Sequence, residues 1–125
     1  MTLDPHARKI VLSDKLAAVT ELWSPRTIAQ LNGQKVLVAK LRGEFEWHQH
    51  AEEDEMFWVV SGQLEIHFRD RVVRLGPGEL LVIPRGTEHK PVCEDLVEVV
   101  LFEPMSTVNT GDQRTERTKL DPDWV

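Results

Sequence analysis

The chain lacks the residues that several common protein classes need. One cysteine cannot form an internal disulfide, so the sequence does not predict a disulfide-stabilised secreted fold. Tyrosine is absent, which excludes a phenolic acid, base or crosslink from any mechanism. No apolar run is long enough to span a bilayer, and the N-terminus lacks the apolar stretch of a signal peptide. We therefore expect a cytoplasmic protein without a membrane partner.

Basic clusters are scarce as well, and the overall charge is acidic. The formal net charge is -6, and no stretch interleaves basic with aromatic residues as nucleic-acid-binding surfaces do. We therefore expect no nucleic-acid partner. The sequence also contains no nucleophile elbow, phosphate-binding loop or dinucleotide fingerprint. A chain of 125 residues fits one domain with one hydrophobic core.

Short apolar segments separated by turn residues predict an all-β fold. The expected strands are residues 27–31, 34–41, 44–50, 55–60, 63–68, 72–75, 80–83, 89–93 and 96–102. Asn32-Gly33 predicts a tight β-hairpin between the first two, because both residues tolerate positive φ. Ahead of them, Ser13 is expected to cap a short helix that ends at Ser24-Pro25. Closely spaced strands with a single helix favour a closed β-barrel or a sandwich.

We expect this single domain to have three parts. Residues 1–33 should form the N-terminal helix and the first hairpin strand, both packed on the barrel. Residues 34–102 should form the barrel itself. Residues 103–125 are polar and lack periodicity, so they are expected to be a C-terminal tail that Trp124 could pin to the barrel.

Histidines and one carboxylate gather in two blocks that Gly and Pro punctuate. His48 and His50 alternate along a predicted strand and therefore share one of its faces. The polar segment 51–54 can turn the chain and return a carboxylate at Glu55, while His89 arrives from a separate strand. Three imidazoles and one carboxylate suit one divalent transition metal with coordination positions left open. Manganese, iron, nickel, cobalt, copper and zinc all accept such ligands, so the metal's identity stays open.

Two further carboxylates near these blocks have several interpretations. Asp54 is the alternative to Glu55 as the ligand, and we prefer Glu55 with Asp54 in solvent. Glu46 shares strand parity with His48 and His50, which makes it our candidate catalytic residue, as a general base near the metal. A partner for a ligand imidazole, or a rim carboxylate in water, are the alternatives for Glu46.

Other notable side chains are expected to lie outside the ligand set. His67 alternates against apolar neighbours and should point outward without binding metal. Trp47 is out of phase with the ligands and should pack on the outer face or at an interface rather than stack on a substrate. Cys93 should be a small buried residue, whereas Phe57 shares the parity of Glu55 and should form part of an apolar wall behind the metal.

The two blocks resemble the two sequence motifs of the cupin superfamily. The first motif is matched by Gly43, His48, His50, Glu55 and Gly62, with one residue fewer than usual after the first glycine. The second motif is matched by Gly78, Pro84, Gly86 and His89, with Cys93 where the family often has Asn. The motif match covers about residues 34–102. More loosely, the whole chain resembles small single-domain bacterial cupins that are described as mannose-6-phosphate-isomerase-like.

The resemblance implies a jelly-roll, an antiparallel cupin β-barrel that holds its metal with these histidines and Glu55. It implies a metal-dependent enzyme acting on a small polar organic molecule such as a sugar or sugar phosphate, first of all an isomerase. A cupin dioxygenase, or a sensor or carrier that binds metal and ligand without turnover, are the alternatives, since fold does not select among them. Small cupins commonly dimerise, and the apolar segment 23–41 also favours a homodimer through an exposed edge strand.

Overall fold

The computed structural model describes residues 7–125, and β-strands form most of its regular structure. The strands are β1 (Arg26–Leu31), β2 (Gln34–Glu44), β3 (Glu55–Ser61), β4 (Leu64–His67), β5 (Val72–Leu75), β6 (Leu80–Ile83) and β7 (Lys90–Pro104). Within the described residues one α-helix, α1 (Leu12–Ala17), precedes them. The strand pairings are antiparallel, which confirms the predicted all-β antiparallel barrel with a short N-terminal helix.

Strand β7 connects the two halves of the barrel. The hydrogen-bonded order is β1-β2-β7-β3-β6, and β4 pairs both with β5 and with the start of β7. We predicted two strands, 89–93 and 96–102, but β7 is one strand of 15 residues. Its ladder with β2 shifts register opposite Leu41 and Gly43, so a bulge absorbs the irregularity that the sequence suggested was a break.

The two faces of β2 and β7 are both covered, which explains why their apolar residues form nearly continuous runs. Inside the barrel, alternate positions of the two strands pack together: Leu37, Ala39, Leu41, Val97, Val99 and Leu101. On the outside, Val38 and Val100 pack against Leu16 of α1. Burying each of the leucine and valine side chains among them stabilises the fold by about 1.5–3 kcal/mol. The closely packed apolar interior therefore stabilises the residues at the open end of the barrel.

The hairpin between β1 and β2 turns at Asn32-Gly33, as predicted. Asn32 has φ 49° and Gly33 has φ 75°, so both central residues adopt the left-handed conformation that a two-residue hairpin requires. The backbone N–H of Met105 then donates to the Gly33 carbonyl at 3.0 Å. This bond ties the end of β7 to the hairpin.

The predicted extent of the helix was wrong. α1 ends at Ala17 rather than near Pro25, and Val11 rather than Ser13 occupies the N-cap position, with no side-chain cap. Trp23 has φ 57°, and its backbone N–H donates to the Lys40 carbonyl at 2.9 Å. Pairing with β2 therefore outweighs the helical periodicity that the sequence suggested. No helix within residues 7–125 has the length and apolar character needed to cross a membrane.

The predicted strand 44–50 was also wrong, but His48 and His50 still come together, as that strand predicted. β2 continues to Glu44, and the following residues form a loop up to β3. Within that loop His48 makes an isolated antiparallel bridge with His89, through two backbone hydrogen bonds of 3.1 and 2.9 Å. One bridge is enough to orient the His-x-His segment without a continuous ladder.

The C-terminal tail is ordered against the barrel. Thr27 of β1 donates from its backbone N–H to the Asp123 carbonyl at 2.9 Å and accepts from Val125 at 3.1 Å. The tail is thus pinned at Trp124, as predicted, but by the backbone, because the Trp124 side chain remains 44% exposed. These bonds cover part of the outer edge of β1.

Candidate metal centre

Four buried side chains converge at one end of the barrel. His48 and His50 lie on the loop that joins β2 to β3, Glu55 is the first residue of β3, and His89 directly precedes β7. All four are at most 4% exposed. One ligand atom from each lies within 4.8 Å of the others. The structure therefore brings together the four predicted residues, which we call the ligand cluster.

Backbone carbonyls set the orientation of two of the three imidazoles. Nδ1 of His48 lies 2.8 Å from the Glu46 carbonyl oxygen, and Nδ1 of His89 lies 2.9 Å from that of Thr87. A carbonyl can only accept, so Nδ1 carries the proton in both rings. Each Nε2 therefore keeps a lone pair for a metal ion, and the ring cannot easily turn away.

The ligand cluster fits a divalent metal because its buried polar atoms lack other partners. Nε2 of His50, Nε2 of His89 and Oε1 of Glu55 are all buried without a hydrogen-bond partner. The two nitrogens lie 3.4 and 3.7 Å from the Glu55 oxygen, close enough for attraction but not for good hydrogen bonds. Buried polar atoms are normally satisfied, and one ion among them would satisfy all three at once.

Burial and neighbouring charges give the members of the ligand cluster different protonation preferences. Burial alone would raise the pKa of Glu55, but the imidazoles of His50 and His89 outweigh it and hold this pKa below its ordinary range. Burial, assisted by His89, lowers the pKa of His48 to about 4, so this ring stays neutral at physiological pH. Burial opposes protonation of His50 too, yet the Glu55 carboxylate raises the pKa of His50.

Asp54 lies outside the ligand cluster, which supports the choice of Glu55. Its carboxylate accepts hydrogen bonds from the backbone N–H of Arg85 at 2.9 Å and from Nε of Arg85 at 3.2 Å. The Arg85 side chain lowers the pKa of Asp54. Asp54 therefore fastens the loop before β3 to the segment that leads to His89.

Glu46 supports the site through its backbone. Its carbonyl orients His48, whereas its side chain accepts a hydrogen bond from Thr115 Oγ1 at 3.3 Å and lies 3.8 Å from Nη1 of Arg117. The carboxylate is not part of the ligand cluster. Its proposed role as a general base stays a prediction.

A pocket opens beside the ligand cluster inside the barrel. Its cavity volume is about 40 Å³, which is room for a few water molecules. Most of its lining is apolar: Trp23, Pro25, Ala39, Leu41, Phe45, Phe57, Pro91 and Leu101. The polar residues that line it are His48, Glu55, Glu103 and Asn109. A small molecule in this pocket would touch two residues of the ligand cluster.

Glu103 is a functional candidate that our sequence analysis missed. It is 4% exposed, and its Oε2 atom is buried without a hydrogen-bond partner. The register that pairs Met56 with Phe102 brings Glu103 beside Glu55 on the inner face. Burial and the neighbouring Glu55 charge raise the pKa of Glu103 well above its ordinary value, against the opposing effect of Lys35. Of the two carboxyl groups, Glu55 therefore ionises more readily, and Glu103 takes up a proton more readily.

Strand parity was the signal that could have identified Glu103. It follows the inward positions Val99 and Leu101 of β7, and Lys35 precedes the inward positions of β2 in the same way. Lys35 and Glu103 are direct partners across the two strands, and Lys35 is 3% exposed. Its Nζ donates to the Thr107 carbonyl at 2.9 Å. Charged residues at two inward positions indicate a polar interior at this end of the barrel.

The C-terminal tail packs over this end of the barrel. Asn109 lines the pocket, and its side chain bonds the backbone of Arg117 at 2.9 Å and of Lys119 at 2.7 Å. Nη1 of Arg117 donates to the Glu44 carbonyl at 2.8 Å. The guanidinium lies over the rings that form one wall of the pocket. The tail is thus part of the site's enclosure.

The remaining candidates lie where the sequence predicted. Trp47 packs under the guanidinium of Arg69, 3.8 Å from the ring centroid. His67 is outside the ligand cluster and lies 2.8 Å from the Glu65 carboxylate. Cys93 is 3% exposed, and burial raises the pKa of its thiol to about 11, so the thiol is inert at neutral pH. Phe57 is buried and forms part of the apolar wall.

Comparison with known proteins matches the segment that carries these features. Residues 35–104, more than half of the chain, match the family model described as "Cupin domain". The uncharacterized protein YdbB of Bacillus subtilis (strain 168) is 38% identical over 73 residues, which are 58% of this chain. The chain spans 65% of the length of that relative. The matched family segment contains the whole ligand cluster.

Two crystal structures are similar over most of the chain. A cupin-2 domain containing protein from Shewanella frigidimarina NCIMB 400 is 43% identical with a TM-score of 0.75, covering 76% of this chain and 93% of that chain. Protein NMB1881 from Neisseria meningitidis is 32% identical with a TM-score of 0.72, covering 78% of this chain and 99% of that chain. The sequence comparison and the structure comparison therefore point to the same family.

Proposed function

Since this chain belongs to the cupin domain family, we propose that it is a metal-dependent enzyme acting on a small organic substrate. The metal is one divalent transition ion held by His48, His50, Glu55 and His89. The observation that carries this proposal is the convergence of four buried ligand atoms within 4.8 Å of one another. The adjoining pocket supports it as well, because His48 and Glu55 line that pocket and a molecule at its mouth would reach them.

The proposed reaction is an isomerisation of a hydroxy-carbonyl compound. A bound divalent ion supplies Lewis acidity at a hydroxyl or carbonyl oxygen. Isomerisation also needs a group that removes a proton from one carbon and returns it to the neighbouring carbon. Glu103 is the first candidate for this proton carrier, because its unpartnered Oε2 belongs to a side chain that lines the pocket. The apolar walls exclude water, which limits loss of the transferred proton.

Glu46 is the second candidate for the proton carrier. Its Oε2 atom is buried without a hydrogen-bond partner, which leaves it able to accept a proton. Its carboxylate, however, faces Thr115 and Arg117 of the tail. A role for Glu46 therefore requires the tail to yield when substrate binds.

The proposal is tested by metal analysis followed by a turnover screen. Protein purified without a metal-binding tag should contain close to one divalent ion per chain and should interconvert small hydroxyketones and hydroxyaldehydes. Glu103→Gln and Glu46→Gln should keep the metal, and loss of the true proton carrier should lower turnover about 10²–10⁴-fold. A fully loaded protein that turns over no hydroxy-carbonyl compound would refute the isomerase and leave the two alternatives, a cupin dioxygenase and a non-catalytic sensor or carrier.

A further inference from the structure

The walls of the pocket are built for an apolar molecule. The rings of Trp23 and Phe45 stack with centroids 4.9 Å apart and an interplanar angle of 22°. Nε1 of Trp23 donates to the Arg42 carbonyl at 2.8 Å, so the indole presents its ring rather than its N–H group. Phe57 and Leu101 are buried on the same lining. A ligand that enters far enough to reach the ligand cluster must lie along these groups.

Away from the ligand cluster, the pocket has no basic side chain to pair with an anion. Among the described residues that line it, Glu55 and Glu103 are the ionisable carboxyl groups, and neither lysine nor arginine is present. A phosphate group in such a pocket would exchange its water shell for apolar walls and two carboxyl groups. With the substrate's hydroxyl or carbonyl oxygen at the ligand cluster, a phosphate at its other end would be buried without a cation, which is strongly unfavourable.

The nearest cations are already engaged. Nζ of Lys35 donates to the Thr107 carbonyl at 2.9 Å, and Lys35 is the cross-strand partner of Glu103. Arg117 bonds the Glu44 carbonyl at 2.8 Å, and its guanidinium lies 5.6 Å from the centroid of the Phe45 ring. Neither side chain offers the free fork of donors with which proteins bind phosphate.

The second recess beside the ligand cluster is acidic as well. It lies next to His50, and Arg114 is the basic residue that lines it. Nη1 of Arg114 donates to the Gly111 carbonyl at 2.7 Å. Glu52, Glu53 and Asp112 line the same recess, so a phosphate there would meet three carboxylates for one engaged cation.

We propose, resting on the function above, that the substrate is an uncharged molecule with an apolar body and a hydroxyl or carbonyl oxygen at one end. The oxygen end lies at the ligand cluster, and the apolar body lies against Trp23, Phe45 and Phe57. Phosphorylated sugars are excluded from this class. The substrate is also compact, because the enclosed part of the pocket has a volume of only about 40 Å³.

The experiment compares ligands that differ by one feature at a time. Ligand-observed NMR titration measures Kd for dihydroxyacetone phosphate, dihydroxyacetone, hydroxyacetone, 1-hydroxy-2-butanone and 1-hydroxy-2-pentanone, on metal-loaded and metal-stripped protein. We expect Kd to fall about fourfold for each added methylene, since each buried methylene contributes about 0.8 kcal/mol. We expect the phosphate ester to bind at least about tenfold more weakly than dihydroxyacetone.

Matched variants locate the effect in the pocket. Phe57→Ala should reduce the gain per methylene, whereas Leu80→Ala, at a position 50% exposed on β6, should not change it. Melting curves establish that both variants fold, and Phe57→Leu replaces Phe57→Ala if that variant does not. A gain per methylene that is the same in the folded Phe57 variant would overturn the proposal.

Phosphate binding is tested directly with Arg117→Gln. Binding of dihydroxyacetone phosphate or inorganic phosphate that is tighter than that of the neutral ligands would overturn the proposal, and its loss in Arg117→Gln would identify the anion's partner. Metal content well below one ion per chain would refute the proposed function alone, because the ligand series on stripped protein still reports on the walls.

Discussion

Gly111 lies directly on the backbone of Gln49, between the two histidines of the His-x-His segment. A β-carbon at position 111 would overlap the carbonyl of Gln49 and approach Cδ2 of His48 to 3.1 Å. Two hydrogen bonds join the same segments, from Asp112 N–H to the Gln49 carbonyl at 3.0 Å and from Gln49 N–H to the Asp112 carboxylate at 3.1 Å. The tail therefore holds two residues of the ligand cluster in place.

Replacing Gly111 by alanine should weaken metal binding as well as stability. Gly111 has φ 58°, so alanine costs about 1–2 kcal/mol in backbone strain. Overlap with Gln49 should add about 1–3 kcal/mol and displace His48. Because supporting contacts typically contribute 10–100-fold to metal affinity, we expect a loss of about that size by calorimetric titration.

Gly33→Ala is the matched control, because Gly33 also has positive φ but no atom lies within 4 Å of its added β-carbon. Gly33→Ala should lose stability through backbone strain by about 1–2 kcal/mol, while its metal affinity stays unchanged. Equal metal affinity in the two variants would mean that the tail does not position the ligands.

The metal content should depend on the ligand cluster and on no other histidine of the barrel. The double variant His48→Ala, His50→Ala should lose the metal, because two of the four ligand atoms are removed. His67→Ala should keep it, since that ring interacts with Glu65. Elemental analysis of tag-free protein measures both, and full occupancy in the double variant would refute the site.

Metal affinity should fall as the pH is lowered, in two separate ranges. Protonated imidazole cannot ligate, and the pKa of His50 is raised, so protons compete with the metal for His50 first. The pKa of His48 is lowered to about 4, so His48 should contribute only in strongly acidic solution. Calorimetric titration from about pH 8 to about pH 4 measures this. A metal affinity that stays constant until about pH 4 would show that the pKa of His50 is not raised.

Glu103→Gln should flatten the pH dependence of stability in metal-free protein. The folded pKa of Glu103 is raised, so its favourable contribution is complete below the ordinary value of 4.5 and is lost as pH rises through the folded pKa. Glutamine has no such dependence. Denaturant unfolding at several pH values gives the difference between the two proteins, which should grow in favour of Glu103→Gln as pH rises. An unfolding free energy that depends on pH in the same way in both proteins would contradict the raised pKa of Glu103.

We also propose a homodimer, to which residues 23–41 contribute. The tail covers part of the edge of β1, yet Leu31 on this hairpin remains 46% exposed. Light scattering should give about twice the chain mass of 14.4 kDa. Leu31→Glu should shift the protein to monomer, whereas Val82→Glu, at a similarly exposed position on β6, should not. The reverse result would move the interface to β6, and a monomeric wild type would end the proposal.

The sequence predicted the ligand cluster because its signals are local. Alternation places His48 and His50 on one side even in a loop, and turn residues before Glu55 and His89 return the chain to the same end of the barrel. The hairpin at Asn32-Gly33 was predictable for the same reason, since its conformational requirement lies in two adjacent residues.

Features that depend on distant contacts were not predictable in this way. The helix ends early because Trp23 pairs with β2, and the tail is ordered because Gly111 and Asp112 meet Gln49. Neither partner is visible in the local pattern. Glu103 was missed because its significance lies in the row it forms with Lys35 and Glu55 across three strands.

The central position of β7 has a consequence for how the protein folds. β7 pairs with β2, β3 and β4, and Lys35 bonds to Thr107, 72 residues further along the chain. Such non-local pairing requires large loops to close, and the chain entropy lost in closing them is compensated only when the contacts form. β-barrels therefore fold slowly, in about milliseconds to seconds. His48 meets His89 only when β7 has docked. The ligand cluster therefore cannot form in a partly folded chain whose β7 is still detached from the barrel.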